Sequence, residues 1–126
     1  MKNNIFLAVR IFFGIFLLIF GFDHFFGYLP FPEMSAAANG YFIALVSTGV
    51  MQLVGIIEIA AGIAFISNRY GAFMAFLLMS VSVNAVLFHV FLDPEKIIIA
   101  IALLALNMVM LFYYKNQYGQ ILKSRG

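Results

Sequence analysis

A carboxylate stands in the middle of "VGIIEIAAGIAF", residues 54 to 65, and no other charge lies between Glu33 and Arg69. An isolated charge at the centre of a bilayer costs about 2.5–3.5 kcal/mol on insertion scales. Glu58 is therefore compensated or used. Three arrangements fit: an ion pair that fixes helix register, a charge lining a polar cavity, or a protonated carboxyl that titrates without a counter-charge. Helical spacing offers a partner. Arg10, Gly14, Leu17 and Gly21 share one face of a first helix, and Gly55, Glu58 and Gly62 share one face of another. Glycine stripes let membrane helices approach closely, so both charges sit on packing faces. At 1.5 Å per residue Arg10 enters about 8 Å and Glu58 about 13 Å from the same membrane edge, a gap that an arginine side chain covers. Against this, side chains lean toward the N-terminus of their own helix, so in antiparallel helices these two lean apart. A buried Arg10–Glu58 ion pair is the first expectation and a polar cavity around them the second.

Five further polar residues fall in or beside apolar stretches: His24, Gln52, Asn84, His89 and Asn107. Asn84 and Asn107, with Ser80, suit hydrogen bonds between membrane helices. Gln52 suits the same role or a cavity shared with Glu58. Haem ligation by two histidines needs both rings in one bundle cavity, but His24 falls at the fraying end of the first helix. His89 lies near the outer end of a later one, on the face of Ser82, Ala85 and Asp93. No spacing is diagnostic of a metal, so both histidines are expected to be interfacial hydrogen-bonding groups. Phe12-Phe13, Phe25-Phe26 and Tyr28 to Pro32 could cradle a quinone ring, although aromatic residues at membrane boundaries are commonly anchors. No resident cofactor is expected beyond that possible quinone. No Ser/His/Asp triad, phosphate loop or HExxH motif is present.

The elements that must position these residues come from composition. Of 126 residues 65% are hydrophobic and 10% charged, where a soluble domain is closer to half and a quarter. An all-α membrane protein is the expected class, in one domain. Apolar runs predict crossings over 5–22, 48–66, 70–92 and 97–114, each close to the span of about 20 residues that a bilayer requires. Pro32 and Glu33 suit a helix start, and Ser47-Thr48-Gly49 interrupts the apolar run beyond it. A short interfacial helix is therefore expected over 32–46, between the first and second crossings. Cleavage of the first run as a signal peptide is not expected, because its apolar core is long and contains Arg10.

Charge then orients the bundle. Lys2, Arg10, Arg69, Lys115, Lys123 and Arg125 fall on one side of a four-crossing arrangement and Lys96 alone on the other, with Asp23, Glu33, Asp93 and Glu95. By the positive-inside rule both termini are cytoplasmic. The absence of cysteine excludes disulfides and thiol chemistry. A net charge of +2 with no basic cluster argues against a nucleic-acid partner.

The pattern resembles the DoxX family of small bacterial membrane proteins. The matching residues are Arg10 opening the first helix, Gly14 and Gly21, "GIIEIAAGIAF" with Glu58 and Gly62, and "NRYGA" at 68–72. Their order and spacing cover nearly the whole chain. Family members often carry a lysine shortly after the last glycine of helix 1, where this chain has Asp23-His24. The resemblance implies a four-helix bundle in the inner membrane, associated with redox systems such as thiosulfate:quinone oxidoreductase. It names no catalytic residue. A non-catalytic accessory subunit of a membrane redox or other multi-protein complex is thus expected, with lipid, other membrane subunits or further copies of itself as partners. The alternative is a small transporter or proton-coupled carrier in which Glu58 titrates.

Overall fold

The computed structural model describes residues 2–27, 35–92, 94 and 97–119. Among these are five α-helices: α1 (Lys2–Phe26), α2 (Ala36–Ser47), α3 (Val50–Ser67), α4 (Gly71–Leu92) and α5 (Ile98–Tyr113). A 3-10 turn, Lys115–Tyr118, comes after the last. Three of the helices, α1, α3 and α4, are long and apolar enough to cross a membrane. α5, at 16 residues, is about 24 Å long at 1.5 Å per residue.

The helix boundaries have local causes. α1 runs four residues past the expected Phe22 and ends where Gly27 adopts φ 62°, its N–H donating to Asp23 O at 2.8 Å. Glycine tolerates this left-handed conformation at a helix end. α2 starts at Ala36 because Ser35 caps it: the Ser35 hydroxyl accepts from Ala38 N–H at 3.2 Å and donates to Leu92 O at 3.0 Å. The expected start at Pro32 and Glu33 lies outside the described residues. The break between α2 and α3 falls at Thr48-Gly49, where Gly49 has φ 83° and the Thr48 hydroxyl donates back to Ala44 O at 2.7 Å. α3 stops at Asn68, also left-handed at φ 56°, with Arg69 N–H donating to Ala64 O at 3.0 Å.

α1 and α3 are antiparallel and pack most closely. A Cβ placed on Gly14 would lie 2.9 Å from Gly62 O, and one on Gly62 would lie 2.8 Å from Gly14 O. One helical stretch further along, Gly21 and Gly55 face each other in the same reciprocal way, and a Cβ added to either would lie 3.1 Å from the other's carbonyl oxygen. Backbone touches backbone at both crossings, the close approach that small residues permit in membranes. α4 returns against α3, and α5 packs antiparallel on α4. The core where they meet contains Phe13, Leu17, Phe65, Leu78 and Met110, all fully buried. The Phe13 and Phe65 rings stack at 5.4 Å. α2 joins the start of α3 to the end of α4, through Ser35 on Leu92 and a Tyr41–Phe88 ring contact at 5.5 Å. It therefore lies across the end of that helix pair instead of running its length. Large apolar side chains such as Phe12, Ile56, Phe73 and Phe76 point outward and are more than half exposed, the surface that a lipid solvent suits.

Candidate functional site

The packing register of α1 on α3 decides which polar side chains meet. With Gly14 against Gly62, Arg10 falls opposite the end of α3, and with Gly21 against Gly55, His24 falls beside Gly55, about one turn before Glu58. Both Arg10 and Glu58 are buried, at 8% and 4% exposure, but they do not take each other. Arg10 donates from Nη1 to Phe65 O at 2.6 Å and to Ile66 O at 3.3 Å. The last carbonyls of a helix have no partner within it, and the C-terminal end of the helix dipole favours a cation. Among the described residues the guanidinium thus finds compensation without a carboxylate, and its Nε is buried without a hydrogen-bond partner.

Glu58 instead meets His24. His24 Nε2 and Glu58 Oε1 share a hydrogen bond of 2.7 Å, with the side chains 21% and 5% exposed. The expected Arg10–Glu58 pair is replaced by two separate contacts for the reason of side-chain lean: each residue reaches toward the N-terminus of its own helix, which in antiparallel helices carries Arg10 to the end of α3 and Glu58 to the end of α1. His24 is available there because α1 extends to Phe26, so it sits on the last helical turn and not beyond the helix.

The remaining candidates take separate places. Asn107 is fully buried and bridges α5 to α4 as expected: its Nδ2 donates to Ala75 O at 2.9 Å, and its Oδ1 accepts from Ser82 Oγ at 2.7 Å. Among the described residues, Ser80 and Asn84 make no bond between helices. Ser80 Oγ donates to Leu77 O at 2.9 Å and Asn84 Nδ2 to Ser80 O at 2.7 Å, both within α4. The Gln52 side-chain oxygen is buried without a hydrogen-bond partner among the described residues. Asn84 and His89 line a cleft between α2, α3 and α4 that neither His24 nor Glu58 lines. Among the described residues no group of three His, Asp or Glu is placed to hold a metal ion. Of the aromatic stretches considered for a quinone, Phe13 is core, Phe12 and Phe25 face outward, and Tyr28 to Pro32 lie outside the described residues.

Sequence reasoning did not find the tyrosine clamp at the other end of the bundle. Tyr114 Oη donates to Asn68 Oδ1 at 2.9 Å and Tyr118 Oη to Ala72 O at 2.7 Å, tying the end of α5 to the α3–α4 turn. Two tyrosines four residues apart at the end of an apolar run were the signal, equally consistent with membrane anchors. Burial, and then the neighbouring Tyr114, push the Tyr118 hydroxyl up to about 12, in keeping with a neutral donor.

No protein-family model, curated protein or solved structure matches this chain.

Proposed function

We propose that this chain is a DoxX-like protein of the bacterial inner membrane, an accessory subunit without catalytic activity of its own in a membrane redox or other multi-protein complex, with a quinone or a lipid held in its bundle. In this reading α1, α3, α4 and α5 cross the membrane, α2 lies at its outer surface, and both termini are cytoplasmic, as the distribution of lysine and arginine favours. One observation carries the reading. Arg10, Gly14, Gly21, Glu58 and Gly62, on which the DoxX resemblance rests, converge on a single seam between α1 and α3. The departure from the family pattern falls on the same seam: His24 supplies a basic partner for Glu58 near the place where family members carry a lysine. A motif whose members interlock supports shared architecture better than the same residues scattered would.

Purification of the tagged protein from its native host in mild detergent tests the proposal. Stoichiometric co-purification of oxidoreductase subunits, lost when Gly14 and Gly62 are replaced by valine, is the expected result. Recovery of the chain alone under conditions that preserve other membrane complexes refutes it.

The His24–Glu58 hydrogen bond favours a second reading, a proton-coupled carrier, because a buried glutamate bonded to a histidine within an apolar helix pair has the composition of intramembrane proton relays. Proton uptake by reconstituted vesicles that disappears in Glu58→Gln would select it over the first.

A further inference from the structure

The cleft between α2, α3 and α4 has a volume of about 440 Å³, within the range of about 300–1,000 Å³ typical of small-molecule sites. Tyr41 and Phe42 of α2 close one end, against Phe88 of α4, and Ile57 and Val81 form the far end. Leu53 and Val50 on its rim are 55% and 41% exposed, so the cleft opens sideways, toward the surface that α3 and α4 present to lipid. The volume admits one ring and part of one tail, and it is too small for a phospholipid with two acyl chains.

The wall formed by α4 is not apolar. Asn84 is exposed in the cleft, eight residues before the end of α4, or about 12 Å along the helix at 1.5 Å per residue. One of its amide N–H groups donates to Ser80 O, and its other N–H and its carbonyl oxygen take no partner among the described residues. An unpaired amide at that depth is costly, and intramembrane polar side chains commonly mark ligand paths. Ser80 and His89 of α4 and the Tyr41 hydroxyl of α2 are the other polar groups lining the cleft, and the Tyr41 and Phe88 rings, 5.5 Å apart, give a planar ligand a face to stack on.

We infer that the cleft is a binding site for a lipid-soluble quinone, whose ring lies against Tyr41 and Phe88, whose carbonyl oxygen accepts the free Asn84 N–H, and whose tail runs along Val54 and Ile57 toward the bilayer. The inference rests on the quinone-or-lipid element of the function proposed above, to which it gives a ligand and a place. It does not use the His24–Glu58 pair.

The test titrates the intact protein in nanodiscs with decylubiquinone and monitors tyrosine emission, which is read directly because the chain has no tryptophan. Decylbenzene, with a ring and tail but no oxygen, is the control. Saturable quenching is expected. Asn84→Leu, at a position exposed in the fold, should weaken it about tenfold, the equivalent of one hydrogen bond, and Ala85→Phe, which fills the cleft, should abolish it. Circular dichroism confirms that each variant is folded, and Ser80→Leu serves if Ala85→Phe is not. Absence of saturable quenching overturns the inference. Quenching unchanged in Asn84→Leu and in the cleft-filling variant overturns it too, as does decylbenzene competing as well as the quinone. Because the protein is isolated, failure here leaves the co-purification result standing, and failure there leaves the titration interpretable.

Discussion

Breaking the His24–Glu58 contact separates this structure from one in which Arg10 answers Glu58. His24→Ala leaves a carboxylate side chain that is only 5% exposed without its hydrogen bond. Removing one partner of a buried pair typically costs about 3–5 kcal/mol. Glu58→Ala leaves an imidazole that is 21% exposed and able to remain neutral, so it should cost less, about 1–3 kcal/mol, the penalty for an unsatisfied buried polar group. The double variant leaves no orphan, and its loss should fall short of the sum by about 1–3 kcal/mol, the coupling usual for residues in contact. Arg10 rests on Phe65 and Ile66, seven and eight residues beyond Glu58, which is about 11 Å along α3 at 1.5 Å per residue. An Arg10→Ala/Glu58→Ala cycle should therefore be additive within about 0.5 kcal/mol. Reversible unfolding in mixed micelles of mild detergent and sodium dodecyl sulfate, monitored by circular dichroism, measures both cycles. Additivity of His24 with Glu58, or a coupling of Arg10 with Glu58 as large as theirs, refutes the assignment.

The packing, the tyrosine clamp and the charge distribution each set a further expected outcome. Gly62→Ala places a Cβ 2.8 Å from the Gly14 carbonyl oxygen and should cost about 1–3 kcal/mol, as overpacking does. Gly40→Ala in α2 meets nothing within 4 Å and should be neutral or stabilising by up to about 1 kcal/mol; the same unfolding assay compares them. Tyr118→Phe deletes the 2.7 Å bond to Ala72 O and should cost about 1 kcal/mol. With its hydroxyl raised from 10.0 to about 12, Tyr118 contributes stability that is complete below pH 10 and lost as pH rises through 12. Unfolding measured across that window should slope downward in the native protein and less in Tyr118→Phe. For topology, cysteine introduced at Ser35 should react with an impermeant maleimide outside intact cells and cysteine at Asn68 should not; labelling of Asn68 from outside removes the four-crossing arrangement.

Much of the architecture was legible because membrane helices write themselves as long apolar runs. The break at Ser47-Thr48-Gly49 was visible as residues that interrupt an apolar helix. The Gly14–Gly21 and Gly55–Gly62 stripes named the faces that now touch. What the sequence did not carry was register. Sliding α1 along α3 by one or two turns changes which carboxylate or carbonyl Arg10 reaches, and only the fit of Gly14 on Gly62 selects the end of α3. The lean of antiparallel side chains argued against an Arg10–Glu58 pair, and the packing agrees with the lean. His24 was placed at the helix end, where it sits on the last turn of an α1 that runs to Phe26, but its pairing with Glu58 depends on the same register. Asn107 was recognisable as an interhelical residue, but its partner Ser82 depends on how α5 docks on α4. Asn84, read as a similar bridge, turns back onto its own helix and leaves its remaining amide groups to the cleft.

The His24–Glu58 contact, on which the α1–α3 seam turns, can be read directly in a bilayer. In protein labelled with ¹⁵N-histidine and ¹³C-glutamate, with His89 replaced by Gln so that one ring remains, dipolar recoupling by solid-state NMR should transfer magnetisation from His24 Nε2 to the Glu58 carboxyl carbon, as a hydrogen bond of 2.7 Å requires. A companion sample with ¹⁵N-arginine should show no transfer from the Arg10 guanidinium to that carbon. Absence of the histidine transfer, or presence of the arginine one, would contradict the seam described here.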